Sequence, residues 1–302
     1  MMRIVVLALV VALGACEGKP PEFVEKKIAA PSRAETTPTQ NLSALLNENW
    51  TRLPVWQEGT EERAEYEAER VIEGKIVKFI ETRLTRKEAF SRQAYSATSD
   101  TSRTDLLAVV SQHVLARSDL AVYSASFSVL QRDPLKLAKF IASWSDERGA
   151  RAKIFRRLVG RSMLYAHSWQ IDGEGKGDDE TDLAKNDLLY DQLPLTLRAL
   201  NFKEGREFYW NALSELLEPA SEKPVPMEWR FSIDALDTVV APAGAFRCWR
   251  VSIKSAERED AYWFSVDAPN VMVRARTPRY EAQLRRLDYV KRDVAILNKA
   301  KP

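Results

Sequence analysis

The sequence predicts a mainly β protein: one large curved antiparallel sheet or half-barrel, with a short helical insertion near 186–200. Three observations carry this expectation. Apolar residues recur with a period of two in segment after segment. Turn-forming residues separate those segments at intervals of roughly 10–15 residues. Few stretches between them have helical periodicity, which argues against alternating βαβ units.

Taken in order, Asn41 to Asn49 predicts a short helix with Leu42, Leu45 and Leu46 on one side. In the next segment Ile76, Lys78, Ile80, Thr82 and Leu84 face one way and Val77, Phe79, Glu81 and Arg83 the other. In 122–130, Tyr123, Ala125, Phe127 and Val129 alternate with Ser124, Ser126 and Ser128, the pattern of a half-buried antiparallel strand. Met227, Trp229, Phe231 and Ile233 alternate as strictly with Glu228, Arg230, Ser232 and Asp234. Further strands are expected at 64–72, 106–116, 137–145, 151–158, 162–171, 207–214, 246–254, 261–265, 271–276 and 282–290.

Breaks at Glu73-Gly74, Arg148-Gly149, Val159-Gly160, Pro242-Ala243-Gly244 and Ala268-Pro269-Asn270 carry turn chemistry. Helix reappears over Asn186 to Leu200, where Asp187 caps a run with Leu188, Leu189 and Leu193, and Pro194 suits a first turn. A helix of that size would plug or cover one face of a curved sheet. No internal repeat and no shift of composition follows residue 41, so 41–302 is expected to be a single mainly-β domain.

The N-terminus is an address. Arg3, the unbroken apolar run Ile4 to Leu13 and the small residues Gly14-Ala15 make a secretory signal over 1–15. The run is too short to cross a hydrocarbon core of roughly 30 Å, which takes about 20 residues. Leu13-Gly14-Ala15-Cys16 matches the bacterial lipobox, in which lipid is attached to the Cys thiol and cleavage leaves that Cys first. A plain signal peptide with a chance Cys is the alternative. Lipidation of Cys16 would hold the protein on a membrane, since each buried methylene contributes about 0.8 kcal/mol and two acyl chains anchor stably. Glu17 follows Cys16 where an inner-membrane retention signal has Asp, so similarity to sorted lipoproteins implies the outer membrane, facing the periplasm. Residues 16–40, with Pro20, Pro21, Pro31 and Pro38 and little apolar periodicity, read as a flexible tether.

Composition excludes several functions. The chain of 302 residues is 45% hydrophobic, 29% charged and 9% aromatic, too apolar for a disordered polyelectrolyte. With 45 Lys+Arg against 43 Asp+Glu it lacks the basic excess of a nucleic-acid binder. Two Cys and two His exclude a disulfide scaffold and a Cys/His zinc site. No phosphate-binding loop, dinucleotide fingerprint or His-Glu-x-x-His motif occurs, and no cofactor is expected.

His113 and His167 stand on expected strands without a nucleophile elbow nearby, so no catalytic residue is assigned. Cys248, between Arg247 and Trp249, reads as a buried inert thiol. The acidic stretch Asp172 to Asp182 fails the calcium-loop pattern, with Lys176 at the fifth position and Leu183 at the twelfth. It reads as a solvated loop, with no metal site assigned.

Aromatics are more informative. Trp144, Tyr165, Trp169, Trp210, Trp229, Trp249 and Trp263 all fall on expected strands. Either they fill the core of a large sheet, or the six tryptophans line an apolar ligand cavity. Arginines gather at Arg151, Arg156, Arg157 and Arg161, with Lys153, and again at Arg274, Arg276, Arg279, Arg285 and Arg286. They are either solvated strand faces or a basic rim, for which Arg274 and Arg276 are the candidates.

Thr238 to Phe246, Cys248 to Val251, Tyr262-Trp263-Phe264 and Glu281 to Tyr289 together resemble the C-terminal hairpins of uncharacterised bacterial envelope proteins with a P-A-G-x-F…Y-W pattern. Trp56 to Gly59, Glu62, Tyr66, Arg70 and Gly74, then Tyr123 to Phe127, Trp144 and Asp187 to Arg198, resemble a lipoprotein family of unknown function. The resemblance implies an envelope lipoprotein with a curved antiparallel sheet, similar to half-barrel lipoprotein carriers and acceptors, and transfers no catalytic residue. The expectation is therefore a non-enzymatic, membrane-anchored binding or carrier module for an apolar, lipid-like ligand. The alternative is a structural or assembly lipoprotein acting through an envelope protein partner; a hydrolase whose residues converge in the fold ranks third.

Overall fold

The computed structural model describes residues 42–56, 59–72, 74–91, 96–97, 105–116, 122–130, 136–146, 149–157, 163–170, 177–182, 188–213, 226–256 and 258–291. The chain divides into two units, Met1–Thr36 and Thr37–Pro302, and every described residue belongs to the second. The signal, Cys16 and the tether lie outside the described residues.

The protein is mainly β, as its alternation predicts. The strands are β1 (Thr60–Ile72), β2 (Lys75–Ser91), β3 (Ser96–Ala97), β4 (Asp105–Ala116), β5 (Val122–Leu130), β6 (Lys136–Asp146), β7 (Gly149–Arg157) and β8 (Met163–Gln170). They continue with β9 (Gly177–Asp182), β10 (Leu188–Leu189), β11 (Glu207–Leu213), β12 (Pro226–Ala241), β13 (Gly244–Lys254), β14 (Glu259–Ser265), β15 (Met272–Thr277) and β16 (Tyr280–Lys291). All belong to one sheet in the order β10-β11-β12-β13-β14-β15-β16-β1-β2-β4-β5-β6-β7-β8-β9, with β3 attached to β2. Every pairing along this path is antiparallel except β10 with β11. Two hairpin meanders thus meet where the last strand, β16, pairs with the first, β1.

Connectivity dictates that this sheet curls. β9 and β10 stand at opposite ends of the order, yet only residues 183–187 separate them in the chain. Such a link spans at most about 20 Å. Fifteen strands laid flat at about 4.8 Å each would hold the two ends roughly 65 Å apart. The sheet therefore bends back toward itself, and it stays open because its hydrogen-bonded path ends at β9 and β10.

Two elements differ from the sequence expectation. Gly177–Asp182, the second half of the acidic stretch read as a solvated loop, is β9, paired from Met163↔Asp182 to Ser168↔Gly177. Its acids suit an edge strand, where like charges disfavour pairing with another chain. The insertion near 186–200 is not a continuous helix. It runs as β10, a 3-10 turn Tyr190–Gln192, the single-turn helix α2 (Leu193–Thr196) and a second 3-10 turn Leu197–Ala199. The helix expected at Asn41 to Asn49 shortens likewise to α1 (Leu42–Leu45).

The insertion plugs the sheet. From Leu188 to Leu200 every residue except Pro194 is buried, including Asp191, Gln192, Thr196 and Arg198. A hydrogen bond of 2.7 Å from Asn47 N–H to the Ala199 carbonyl and one of 2.9 Å from Asn201 N–H to the Leu45 carbonyl bind it to the N-terminal segment. Trp50 and Trp56, each 1% exposed and 5.0 Å apart at their ring centroids, pack beneath.

Charge is buried with the apolar core. On β2 the inward face is Phe79, Glu81, Arg83 and Thr85, while Ile80 and Leu84 on the other face are only half-buried. Arg83 Nε donates to Glu81 Oε1 at 2.5 Å and its other nitrogens reach the Tyr280 hydroxyl at 3.0 Å and Met272 Sδ at 3.3 Å. Tyr280 in turn donates to Glu81. Burial is the largest influence on Arg83 and opposes its charge, but Glu81 together with Tyr280 and Tyr66 outweighs it and holds the guanidinium protonated.

Candidate functional site

At one end of the sheet, where the β1–β2 and β15–β16 turns meet, lies an open cleft of about 560 Å³. Its lining includes Val71 and Ile76 of the first hairpin, Ala261 and Trp263 of β14, and Arg276 and Glu281 of the last hairpin. Antiparallel register builds the wall. Arg250 lies opposite Trp263, and Trp263 opposite Arg274, so the three share one face of the sheet. The Arg250 and Arg274 guanidinium carbons stand 5.5 and 5.3 Å from the Trp263 ring centroid. Asp234 anchors Arg250 as an ion pair of 3.3 Å rather than an aligned hydrogen bond. Arg274 Nε donates to Glu281 Oε1 at 3.1 Å. A ladder Asp234–Arg250–Trp263–Arg274–Glu281 thus crosses five strands, each cation neutralised at its outer end and stacked on the indole at its inner one.

Arg276 differs. It lies on the cleft, exposed, opposite a Glu281 that Arg274 already holds, and it has no ion pair among the described residues. The Trp263 indole N–H is buried in the wall and, like those of Trp56, Trp210 and Trp229, has no acceptor among the described residues. The cleft therefore sets an apolar strip beside a guanidinium that has no ion pair among the described residues.

Beneath this wall, on the plug-facing side of β14, Asp260 is 1% exposed. Arg258 Nε donates to its Oδ1 at 2.8 Å, while Oδ2 has no donor among the described residues. Arg258 also lies 4.8 Å from the Tyr190 ring centroid and reaches its hydroxyl at 3.4 Å, so its charge is shared with the plug. Loss of hydration outweighs this partly exposed partner and pushes the Asp260 carboxyl up to about 7. Sequence gave no sign of this group: an acid at the start of a strand reads as surface.

The six tryptophans do not share one space. Among the tryptophans with described side chains, Trp263 alone lines the cleft. Trp210 packs at 4.7 Å from Phe208 and 5.1 Å from Phe231, and Trp229 at 5.0 Å from Tyr190, all in the core. Trp249 stacks on Phe202 at 5.9 Å. Trp144 and Trp169 stand on β6 and β8, with side chains outside the described residues, as do those of His113 and His167. Of the basic rim, Arg276 borders the cleft and Arg274 belongs to its ladder. Cys248 is a buried free thiol on β13, pushed up to about 12 by burial and by Asp237. Among the described residues no three His, Cys, Asp or Glu side chains gather to hold a metal, and no helix is long and apolar enough to cross a membrane.

No family model and no curated protein matches the chain. Among solved structures, two show a weak similarity to the chain. One is a DUF1089-family protein from Pseudomonas aeruginosa, 13% identical, covering 56% of this chain and 82% of its own, with a TM-score of 0.31. The other is a protein with a YmcC-like fold from Bacteroides fragilis, 10% identical, covering 77% and 96%, with a TM-score of 0.28. At scores this low the architecture rests on the strand pairing of the chain itself: a single open, curled, predominantly antiparallel sheet around a buried insertion.

Proposed function

We propose that the protein is a lipoprotein of the bacterial envelope, anchored through Cys16 to the outer membrane and facing the periplasm, that binds a lipid-like amphiphile without catalysing a reaction. One observation carries the reading: the cleft of about 560 Å³ that sets an apolar strip, Trp263 and the unpaired Arg276 side by side. Leu193, Leu197, Phe208 and Phe231, beneath and within the insertion, are buried in the core. In the cleft, Val71, Ile76 and the Ala261 strip offer apolar contact at about 25 cal/mol per Å² buried. Arg276 suits an anionic head group.

Titration with a fluorescent fatty acid tests this. The expected result is saturable binding, weakened at least tenfold by Ala261→Leu, which fills the cleft, and by Arg276→Glu, which repels the head group. Absence of saturable binding in the folded wild type sinks the reading. The packed aromatic core favours the second one, a structural lipoprotein with a protein partner, and cross-linking to one stoichiometric partner would then be expected.

A further inference from the structure

The surface around the cleft mouth sets exposed apolar residues beside cations. The β1–β2 and β15–β16 turns are tied by a hydrogen bond of 2.9 Å from the Val71 N–H to the Arg279 carbonyl. At this joint tip Ile76 is 66% exposed and its register partner Val71 38%, so the two form a pair rather than scattered apolar residues. Lys75 and Lys78 are exposed beside them, and Arg70, Arg276 and Arg279 line the same mouth. Among the described residues, Lys75, Lys78 and Arg276 have no ion pair. The nearby acids are mostly taken: Arg274 holds Glu281, and Lys254 holds Glu259 at 3.2 Å. Glu69, opposite Lys78, remains, and by sequence Glu73 lies in the β1–β2 turn, so Lys75, Lys78, Arg70, Arg276 and Arg279 outnumber the remaining acids.

We propose that this tip is a membrane-docking edge, which seats the cleft mouth on the anionic head groups of the bilayer that carries the lipid anchor. Ile76 and Val71 enter the head-group layer, and the lysines lay their aliphatic stems along it with their ammonium groups at the phosphates. Charge complementarity selects this occupant. A cluster in which cations outnumber acids is attracted to an anionic surface within a Debye length, whereas lysine is depleted in the cores of protein–protein interfaces. Tether length does not oppose the pose, since residues 17–40 reach several tens of Å when extended. Docking would let an amphiphile pass between bilayer and cleft with its chain shielded from water. That purpose rests on the proposed cleft; the docking itself is measured without a ligand.

The test uses the mature chain from residue 16 with Cys16→Ser, so that no acyl chain contributes, sedimented with vesicles of phosphatidylcholine alone or mixed with phosphatidylglycerol. Association is expected with the anionic vesicles, to be lost at high salt. Lys75→Glu with Lys78→Glu should weaken it about tenfold or more. Ile76→Ser should also weaken it, while Arg230→Glu, away from the tip, should change little. Fatty-acid titration of the Lys75→Glu, Lys78→Glu protein in vesicle-free buffer should match wild type, which separates a failure of docking from a failure of the cleft. Three results overturn the proposal: no association with anionic vesicles, equal losses for the tip and Arg230 variants, or a stoichiometric protein cross-linked over Ile76 in place of lipid.

Discussion

Arg198 and Glu62 meet as a buried fork: the two terminal guanidinium nitrogens donate to the two carboxylate oxygens at 2.8 and 2.7 Å. Arg198 belongs to the insertion and Glu62 to β1, so this pair fixes the plug in the sheet. The remaining donor, Nε, reaches the Pro269 and Asn270 carbonyls at 3.3 and 3.2 Å, and the guanidinium lies 5.3 and 5.4 Å from the Trp50 and Trp56 ring centroids. Burial is the largest influence and disfavours the cation, yet Glu62, with Tyr66 and Tyr289, outweighs it and raises the Arg198 pKa.

Removing one partner leaves the other charged and buried. Arg198→Ala is expected to destabilise the fold by about 3–5 kcal/mol. Arg198→Lys should recover little, because an ammonium cannot make the bidentate contact. Urea unfolding monitored by tryptophan fluorescence measures both, and an Arg198→Ala midpoint equal to wild type would contradict the role given to the pair.

The Glu81–Arg83–Tyr280 cluster behaves similarly on a smaller scale. Tyr280→Phe deletes one hydroxyl that accepts from Arg83 and donates to Glu81, at an expected cost of about 1.5–3 kcal/mol. Burial first, and then Glu81, push the Tyr280 hydroxyl above its ordinary range. Its absorbance should not titrate before alkaline unfolding; ionisation near the usual tyrosine value would show that the cluster is open to water.

Asp260 makes stability depend on pH. Its carboxyl binds a proton up to about pH 7 in the folded chain and only up to about 3.8 when unfolded. Between these values the native state holds the extra proton, so stability is fully present below the lower one and falls as pH rises through the higher one. The loss approaches about 4 kcal/mol as an upper bound, at 1.36 kcal/mol per unit. Asp260→Asn should flatten this part of the profile. Equal pH profiles for the two proteins would mean that Arg258 keeps Asp260 ionised throughout.

Cys248 should be inert. Its Sγ lies 3.7 Å from the Phe246 carbonyl, shielded from water, and its thiol is pushed up to about 12. A thiol reagent is expected to label it at the rate of global unfolding, accelerating with denaturant; rapid labelling of the native protein would contradict its burial.

Much of the sheet was legible because alternation reports a strand with one wet face: Tyr123 to Val129 lies wholly within β5, and Met227 to Ile233 within β12. β9 was not, because Asp178, Asp179, Glu180 and Asp182 offer no apolar face and form a strand only through β8. β2 showed its period but hid its sense. Ile76, Ile80 and Leu84 look like the inner face, yet Glu81 and Arg83 go inside because each neutralises the other. Likewise Trp263 and Arg276 stood out in the sequence, but their meeting at a cleft depends on the register of β14 with β15, which sequence does not print.

Native mass spectrometry of the protein, purified without added lipid, tests the proposed binding most directly. Beyond the covalent mass of the chain, wild type is expected to carry a non-covalent increment of amphiphile mass that a folded Ala261→Leu protein lacks. An identical spectrum for both, with no such increment in either, would contradict it.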